Sequence, residues 1–290
     1  MSLLLQLLLQ GLQTGALYAL TAAGFALIFG ATRIFHFAHG AAFTLAGYTF
    51  LFAWNAGWPW PLGALAATLV AMGFGVLVER LVYRPIQRHE GGFFTVFVAA
   101  FGVSIVVQNL VGMFAGRGFA SIDTSLSRAT EIMPDIFLAR VFWVAIGVSA
   151  LVFLALTLFL TRSHAGVALR ALAQNPDLIR AYGLSSTKLS ILAFALGSAL
   201  AAPAAILTGM TAGLNEAIGH HVMLISMAAT IVGGVGSLKG AALAGLLLGV
   251  AEAICLTVVE PQWAEAISFI VLFAFIIFRP SGLFGVAVTR

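Results

Sequence analysis

Unbroken runs without a formal charge constrain this chain more than any motif. Asp, Glu, Lys and Arg are all absent from 1–32, 34–78, 91–116, 141–161, 189–215, 217–238, 240–251 and 266–278. A helix needs about 20 mostly apolar residues to cross a bilayer, and stretch 34–78 is long enough for two. The apolar excess is global: 61% of 290 residues are apolar, 8% are charged and mean hydropathy is +1.08. Soluble domains carry about 45–50% apolar and about 25% charged residues. This excludes an ordinary soluble enzyme, a disordered chain and a nucleic-acid-binding domain. Runs this long predict helices, because barrel strands have about 9–11 residues of alternating polarity. The predicted fold class is therefore all-α: a polytopic membrane protein forming one transmembrane domain over 1–290.

Nine spans are expected, near 10–31, 35–54, 62–83, 93–115, 139–161, 188–210, 219–236, 240–259 and 262–279. The turn WNAGWPWP at 54–61 divides the second from the third, and its three Trp suit a membrane interface. Segment 219–236 is short and ends in glycine, so it reads as broken or re-entrant, and eight spans is the alternative. The N-terminus lacks a basic leader and a small-residue cleavage pattern, so it reads as a first span and not as a signal peptide.

Orientation follows from the bases. Arg33, Arg80, Arg84, Arg88, Arg162, Arg170, Arg180, Lys188, Lys239, Arg279 and Arg290 fall on one side of this scheme, eleven of fourteen. The other side holds Arg117, Arg128 and Arg140 with Asp123, Glu131, Asp135, Glu216 and Glu260. The basic side is cytoplasmic, which puts the N-terminus out and the C-terminus in. Orientation in a membrane explains the net charge of +4 better than an anionic partner does. One cysteine, Cys255, excludes a disulfide framework.

Two connections are long. Cytoplasmic residues 162–188 predict a short helix, a break near Asn175-Pro176 and a further turn closed by Gly183. This is either a plain basic loop or a docking helix for a cytoplasmic partner. Outer residues 116–138 mix acids, bases and hydroxyls, as a solvated linker or a partner surface would.

No catalytic or metal motif is evident. GGVGSLKG at 233–240 is not a phosphate-binding loop, since Leu238 separates its glycines from Lys239 and no Ser or Thr follows. His220 and His221 are adjacent, so on a helix they diverge by about 100° and do not form a metal pair. The chain reads as a non-enzyme without a metal or cofactor of its own. Energy for active transport must come from another chain or an ion gradient. Glu252 is the clear intramembrane acid. It lies thirteen residues past Lys239, which is roughly 20 Å along a helix. A charge at mid-membrane costs about 2.5–3.5 kcal/mol, so a partner or wet cavity is expected. A structural carboxylate and a transport-linked acid fit equally. Gly11, Gly15 and Gly24 suit helix packing. Gly40, Gly233, Gly234 and Gly236 sit at breaks, where packing and an opened backbone facing a substrate are both possible. The patterns at 29–42 and 232–242 echo each other weakly.

Several strings occur in a telling order: GLQTGALYAL (11–20), FHFAHG (35–40), ERLVYRPIQR (79–88), ALRALAQNPDLIRAYGLS (168–185), GGVGSLKGA (233–241), Glu252 and RPSGLFG (279–285). Together they resemble the LivH-type inner-membrane permease subunit of branched-chain amino acid ABC importers, over essentially the whole chain. The resemblance implies import of Leu, Ile and Val across a bacterial inner membrane. It also implies a second homologous permease, two cytoplasmic ATPase subunits that use the ATP, and a periplasmic binding protein. Carried over by position, it implies ATPase coupling at Arg170, Ala171, Ala173, Asn175 and Gly183; His36, His39, Gly40, Gly233, Gly234, Gly236 and Glu252 are the pathway candidates. His36 and Ala41 depart from the common N-F-A-H-G-[DE] pattern, which bears on substrate more than architecture. The same architecture carrying urea, a short amide or another small compound is the second reading. A self-sufficient channel or ion-coupled carrier is the third.

Overall fold

The computed structural model describes residues 2–134, 136–258, 260, 263–279 and 281–284. Its first half contains α1 Ser2–Thr32, α2 His39–Asn55, α3 Trp60–Val78, a π-helical turn Glu79–Tyr83, α4 Arg84–Arg88 and α5 Phe93–Ala115. A hairpin follows, β1 Ala129–Met133 and β2 Ile136–Ala139. Then come α6 Val141–Arg162, α7 His164–Gln174, α8 Pro176–Ala181, α9 Ser186–Thr211, α10 Ile218–Gly233, α11 Leu238–Cys255 and α12 Ala264–Phe278.

Every one of the nine expected apolar segments forms a helix. Six are long and apolar enough to cross a membrane: Leu3–Thr32, Trp60–Arg88, Phe93–Ala115, Val141–Arg162, Ser186–Thr211 and Leu238–Cys255. The others, α2, α10 and α12, have 17, 16 and 15 residues. At 1.5 Å per residue they reach about 22–26 Å, short of a 30 Å hydrocarbon core. Arg290, Asp135, Pro280 and Gly285 lie outside the described residues, as do Val259 and Gln262 at the edges of two expected spans.

Helix α1 is the axis of the bundle. Its most apolar window is 89% buried inside the protein, against 28% for the windows of the third, fifth and sixth helices. Those three therefore form the periphery and leave large apolar side chains such as Leu69, Phe114 and Leu154 exposed. The main partner of α1 is α11. Gly11 and Gly15 face Gly249 so closely that a Cβ on any of them would overlap backbone across the contact, and Gly245 sits likewise against Ala19. Without a hydrophobic driving force between helices in lipid, small residues permit the close approach from which dispersion contacts arise. The packing reading of Gly11 and Gly15 is thus the one the structure takes. Gly24 packs the same way against Gly197 of α9.

The outer connection differs from the loop expected. β1 and β2 pair antiparallel, Ala129 with Ala139 and Thr130 with Leu138, adding a small sheet to an otherwise helical fold. Ile136 and Leu138 point inward while Phe137 is exposed, a period-two pattern too short to stand out among polar residues. Ahead of the hairpin, Ala120 and Leu214 exchange backbone hydrogen bonds at 2.8 and 2.7 Å, tying this loop to the α9–α10 connection.

Candidate functional site: the basic face and its polar links

Segment 162–188 is built from local signals. Ser163 Oγ accepts from Gly166 N–H at 2.9 Å and starts α7. Gly166, Leu169 and Leu172 turn inward, while Arg170 is exposed on the opposite face. Asn175 breaks the helix, and its Oδ1 accepts from Asp177 N–H at 3.0 Å, capping α8. Pro176 occupies the first position of α8, where its missing N–H costs nothing. Ile179 is buried, and Arg180 pairs with Asp177 at 3.5 Å on the exposed side. Gly183, at φ +75°, makes the turn, and Ser185 caps α9. The five candidate coupling residues thus share one segment. Arg170, Asn175 and Gly183 are exposed, and Ala171 and Ala173 are half-buried.

This segment is fastened to the bundle by groups that sequence reasoning did not single out. Arg84 Nη2 donates to Thr187 Oγ1 at 2.8 Å. Ser190 Oγ donates to Glu79 Oε1 at 2.7 Å. Both acceptor and donor on the α3 side flank or belong to the π-helical turn, a local insertion often found at functional positions. The same turn presents Tyr83, whose hydroxyl hydrogen-bonds His36 Nδ1 at 2.8 Å. His36 lies 5.9 Å from His39, centroid to centroid, and His39 Nε2 is 3.1 Å from the Thr21 carbonyl of α1. Glu79, Tyr83, His36 and His39 are all buried. Two separate hydrogen-bonded pairs, Ser190–Glu79 and Tyr83–His36, therefore start from the same π-helical turn and reach α9 on one side and the α1–α2 junction on the other. ERLVYRPIQR contained the signal, since a Glu at the inner end of an apolar run needs a partner.

The pathway candidates separate spatially. His36, His39 and Gly40 lie at the α1–α2 junction, where Gly40 packs directly on Gly219 of α10. Gly233 packs on Gly240. Gly234 and Gly236 adopt φ of +100° and +86°, a conformation available to glycine. The C-terminal segment folds back here: Leu283 N–H donates to the Val232 carbonyl at 2.8 Å and Phe284 N–H to Gly233 at 3.0 Å. These are terminal carbonyls of α10 that lack helical partners. Glu252 lies elsewhere, buried between α1, α11 and α12. It accepts from Tyr18 Oη at 3.0 Å and from Ser268 Oγ at 2.5 Å. The Tyr18 ring is 6.1 Å from that of His221.

Long helices with exposed apolar faces around a buried polar core, with a basic amphipathic segment at one end, are the features of a polytopic helical membrane protein. Residues 7–276 match the family model described as branched-chain amino acid transport system / permease component. The chain belongs to that family. It is 35% identical to the high-affinity branched-chain amino acid transport system permease protein BraD of Pseudomonas aeruginosa, over 97% of this chain and 95% of that protein. It is 29% identical to the corresponding LivH of Salmonella typhimurium, with the same coverage. Among solved structures, a chain of PsaBC from Streptococcus pneumoniae in complex with Fab superposes with a TM-score of 0.53 at 13% identity, covering 94% of this chain and 91% of that one. That likeness shows a shared fold.

Proposed function

We propose that this chain is the membrane-spanning permease subunit of an ABC importer for leucine, isoleucine and valine in a bacterial inner membrane. The observation that carries the coupling part is the α7–α8 segment. It is capped at each start, seated by Leu169, Leu172 and Ile179, and leaves Arg170 exposed on the basic face. A short capped element of this kind suits docking on a separate ATPase subunit, and the chain has no phosphate-binding loop of its own. Relatives named for branched-chain amino acid transport support the substrate.

In this reading the N-terminus is outside and the C-terminus inside, with nine apolar spans in a single domain over 1–290. A loaded binding protein docks on the outer surface that includes 116–138. ATP binding to two partner ATPases displaces α7–α8. The Arg84–Thr187 and Glu79–Ser190 contacts pass that displacement to α3 and to the α1–α2 junction. The substrate crosses at the interface with a second permease, past walls dominated by apolar and small side chains. The chain needs no cofactor, since ATP is used by its partners.

The test is uptake of labelled leucine, with urea in parallel, in a strain lacking this chain alone. Leucine uptake is lost and is restored by the wild-type chain but not by Arg170→Glu, which still inserts and accumulates. Intact leucine uptake with lost urea uptake moves the substrate to a small polar compound. Transport by the purified chain alone in liposomes under an ion gradient defeats the importer reading. Reporter fusions at residue 1 and after Phe278 check the orientation.

A further inference from the structure

A second feature of the basic end is a cavity of about 350 Å³ between α1, α6, α7 and the start of α11. Arg170 and Lys239 stand in its lining beside Thr161, and Leu27 and Leu160 form apolar wall. Arg180 has its own carboxylate partner at 3.5 Å, but neither Arg170 nor Lys239 forms an ion pair among the described residues. The recess is also not packed shut. A Cβ built on Gly30, in its floor, would meet only Gly236 Cα at 3.8 Å. The helices that flank the recess carry exposed apolar side chains next to it, Leu151, Leu154 and Leu158 on α6 and Leu243 and Leu247 on α11. The result is a recess with two cations that form no ion pair among the described residues, an apolar wall inside it and exposed apolar side chains on the helices beside it.

We infer that this recess binds an anionic glycerophospholipid, with its phosphate between Arg170 and Lys239, its glycerol end against Leu27 and Leu160, and an acyl chain along the exposed apolar face of α6. Guanidinium and ammonium groups are complementary to a phosphate diester. Basic pockets between membrane helices on the cytoplasmic side recognise anionic headgroups in this way. A free anion would satisfy the cations alone and leave the apolar wall and the open floor at Gly30 uncovered. The site is independent of which substrate is transported. Lys239 and Gly30 are its diagnostic residues, because Arg170 also belongs to the coupling segment.

The test uses the chain purified with its partner subunits, delipidated and titrated separately with phosphatidylglycerol, phosphatidylcholine and inorganic phosphate. Native mass spectrometry reads retained ligand and a melting curve reads protection. Phosphatidylglycerol is retained and raises Tm, while phosphatidylcholine and phosphate at equal concentration do neither. Lys239→Gln weakens phosphatidylglycerol retention roughly fivefold, the factor for one basic residue beside an anionic headgroup, and Lys239→Arg keeps it. Gly30→Leu fills the groove and abolishes retention while the unliganded protein melts as before. Equal retention of phosphatidylcholine, or retention insensitive to Lys239→Gln, overturns the proposal. So does phosphate binding that survives Gly30→Leu with full protection, or a disulfide cross-link from Gly30→Cys to a second permease, which would make the groove a subunit interface.

Discussion

Glu252 shows what burial in a membrane bundle demands of one carboxylate. Two hydroxyls from different helices, Tyr18 and Ser268, donate to its two oxygens. Interhelical hydrogen bonds in membranes average about 0.6 kcal/mol and reach about 1.7. Tyr18→Phe and Ser268→Ala are each expected to lower stability by an amount in that range, read as a drop in Tm of the detergent-solubilised protein. Glycines give a sharper contrast. A Cβ on Gly40 would overlap the Gly219 carbonyl, whereas one on Gly73 would meet nothing within 4 Å. Gly40→Ala must push α2 from α10 and is expected to cost about 1–3 kcal/mol. Gly73→Ala lies in exposed helix and is expected to be neutral or to stabilise by up to about 1 kcal/mol. Parallel melting curves check both. Sequence placed Gly40 at a break and Gly73 inside an apolar run, but the contact that sets the cost of a Cβ at each is decided by the neighbouring helix.

Among the elements, α7–α8 was the more legible and the π-helical turn the less. Caps at Ser163 and Asn175, Pro176 after the break and Gly183 at the turn all act within a few residues, so the two helices of 162–188 emerge from local chemistry. Asn175→Ala removes the acceptor for Asp177 N–H, and an N-cap is worth about 1 kcal/mol. Six-residue α8 has little stability of its own. The expected result is faster limited proteolysis across 175–183 and reduced uptake, with unchanged membrane insertion. The π turn at Glu79–Tyr83 has no comparable local signature. It matters because it aims Glu79 at Ser190 and Tyr83 at His36. In a double-mutant cycle, Glu79→Ala and Ser190→Ala should couple by about 0.6–1.7 kcal/mol. Additive melting shifts would show that the contact transmits nothing. The outer hairpin was missed for a related reason: its two strands have five and four residues, and the pairing that stabilises them lies across the turn.

For the whole molecule, the chain closes on itself. Residues 281–284 return to the break after α10, where Leu283 and Phe284 donate to Val232 and Gly233. Gly282, at φ +71°, would drive a side chain into Gly234. Ending the chain at Phe278 leaves two α10 carbonyls without these donors. It is expected to lower Tm and expose the 234–237 turn to protease, and Gly282→Val should do much of the same. A truncated chain that melts with the full-length one would show that the contact carries no stability.

The apolar, charge-free runs by themselves determined that this is a helical membrane protein, and roughly where each helix lies. Hydrocarbon solvation acts on each segment separately, and backbone groups must be satisfied within it. The excess of Lys and Arg on one set of loops likewise marked the basic face, and caps and breaks marked α7 and α8. Tertiary structure alone decided that α1 is the buried axis, that Gly40 packs on Gly219, and that Glu252 meets Tyr18 and Ser268, 234 and 16 residues away in sequence. It also decided that Glu79, Arg84 and Tyr83 join the coupling segment to the α1–α2 junction. Those outcomes depend on which helix faces which. In lipid every helix is apolar around its circumference, so hydrophobic periodicity says little about facing, and close packing with interhelical hydrogen bonds makes the choice.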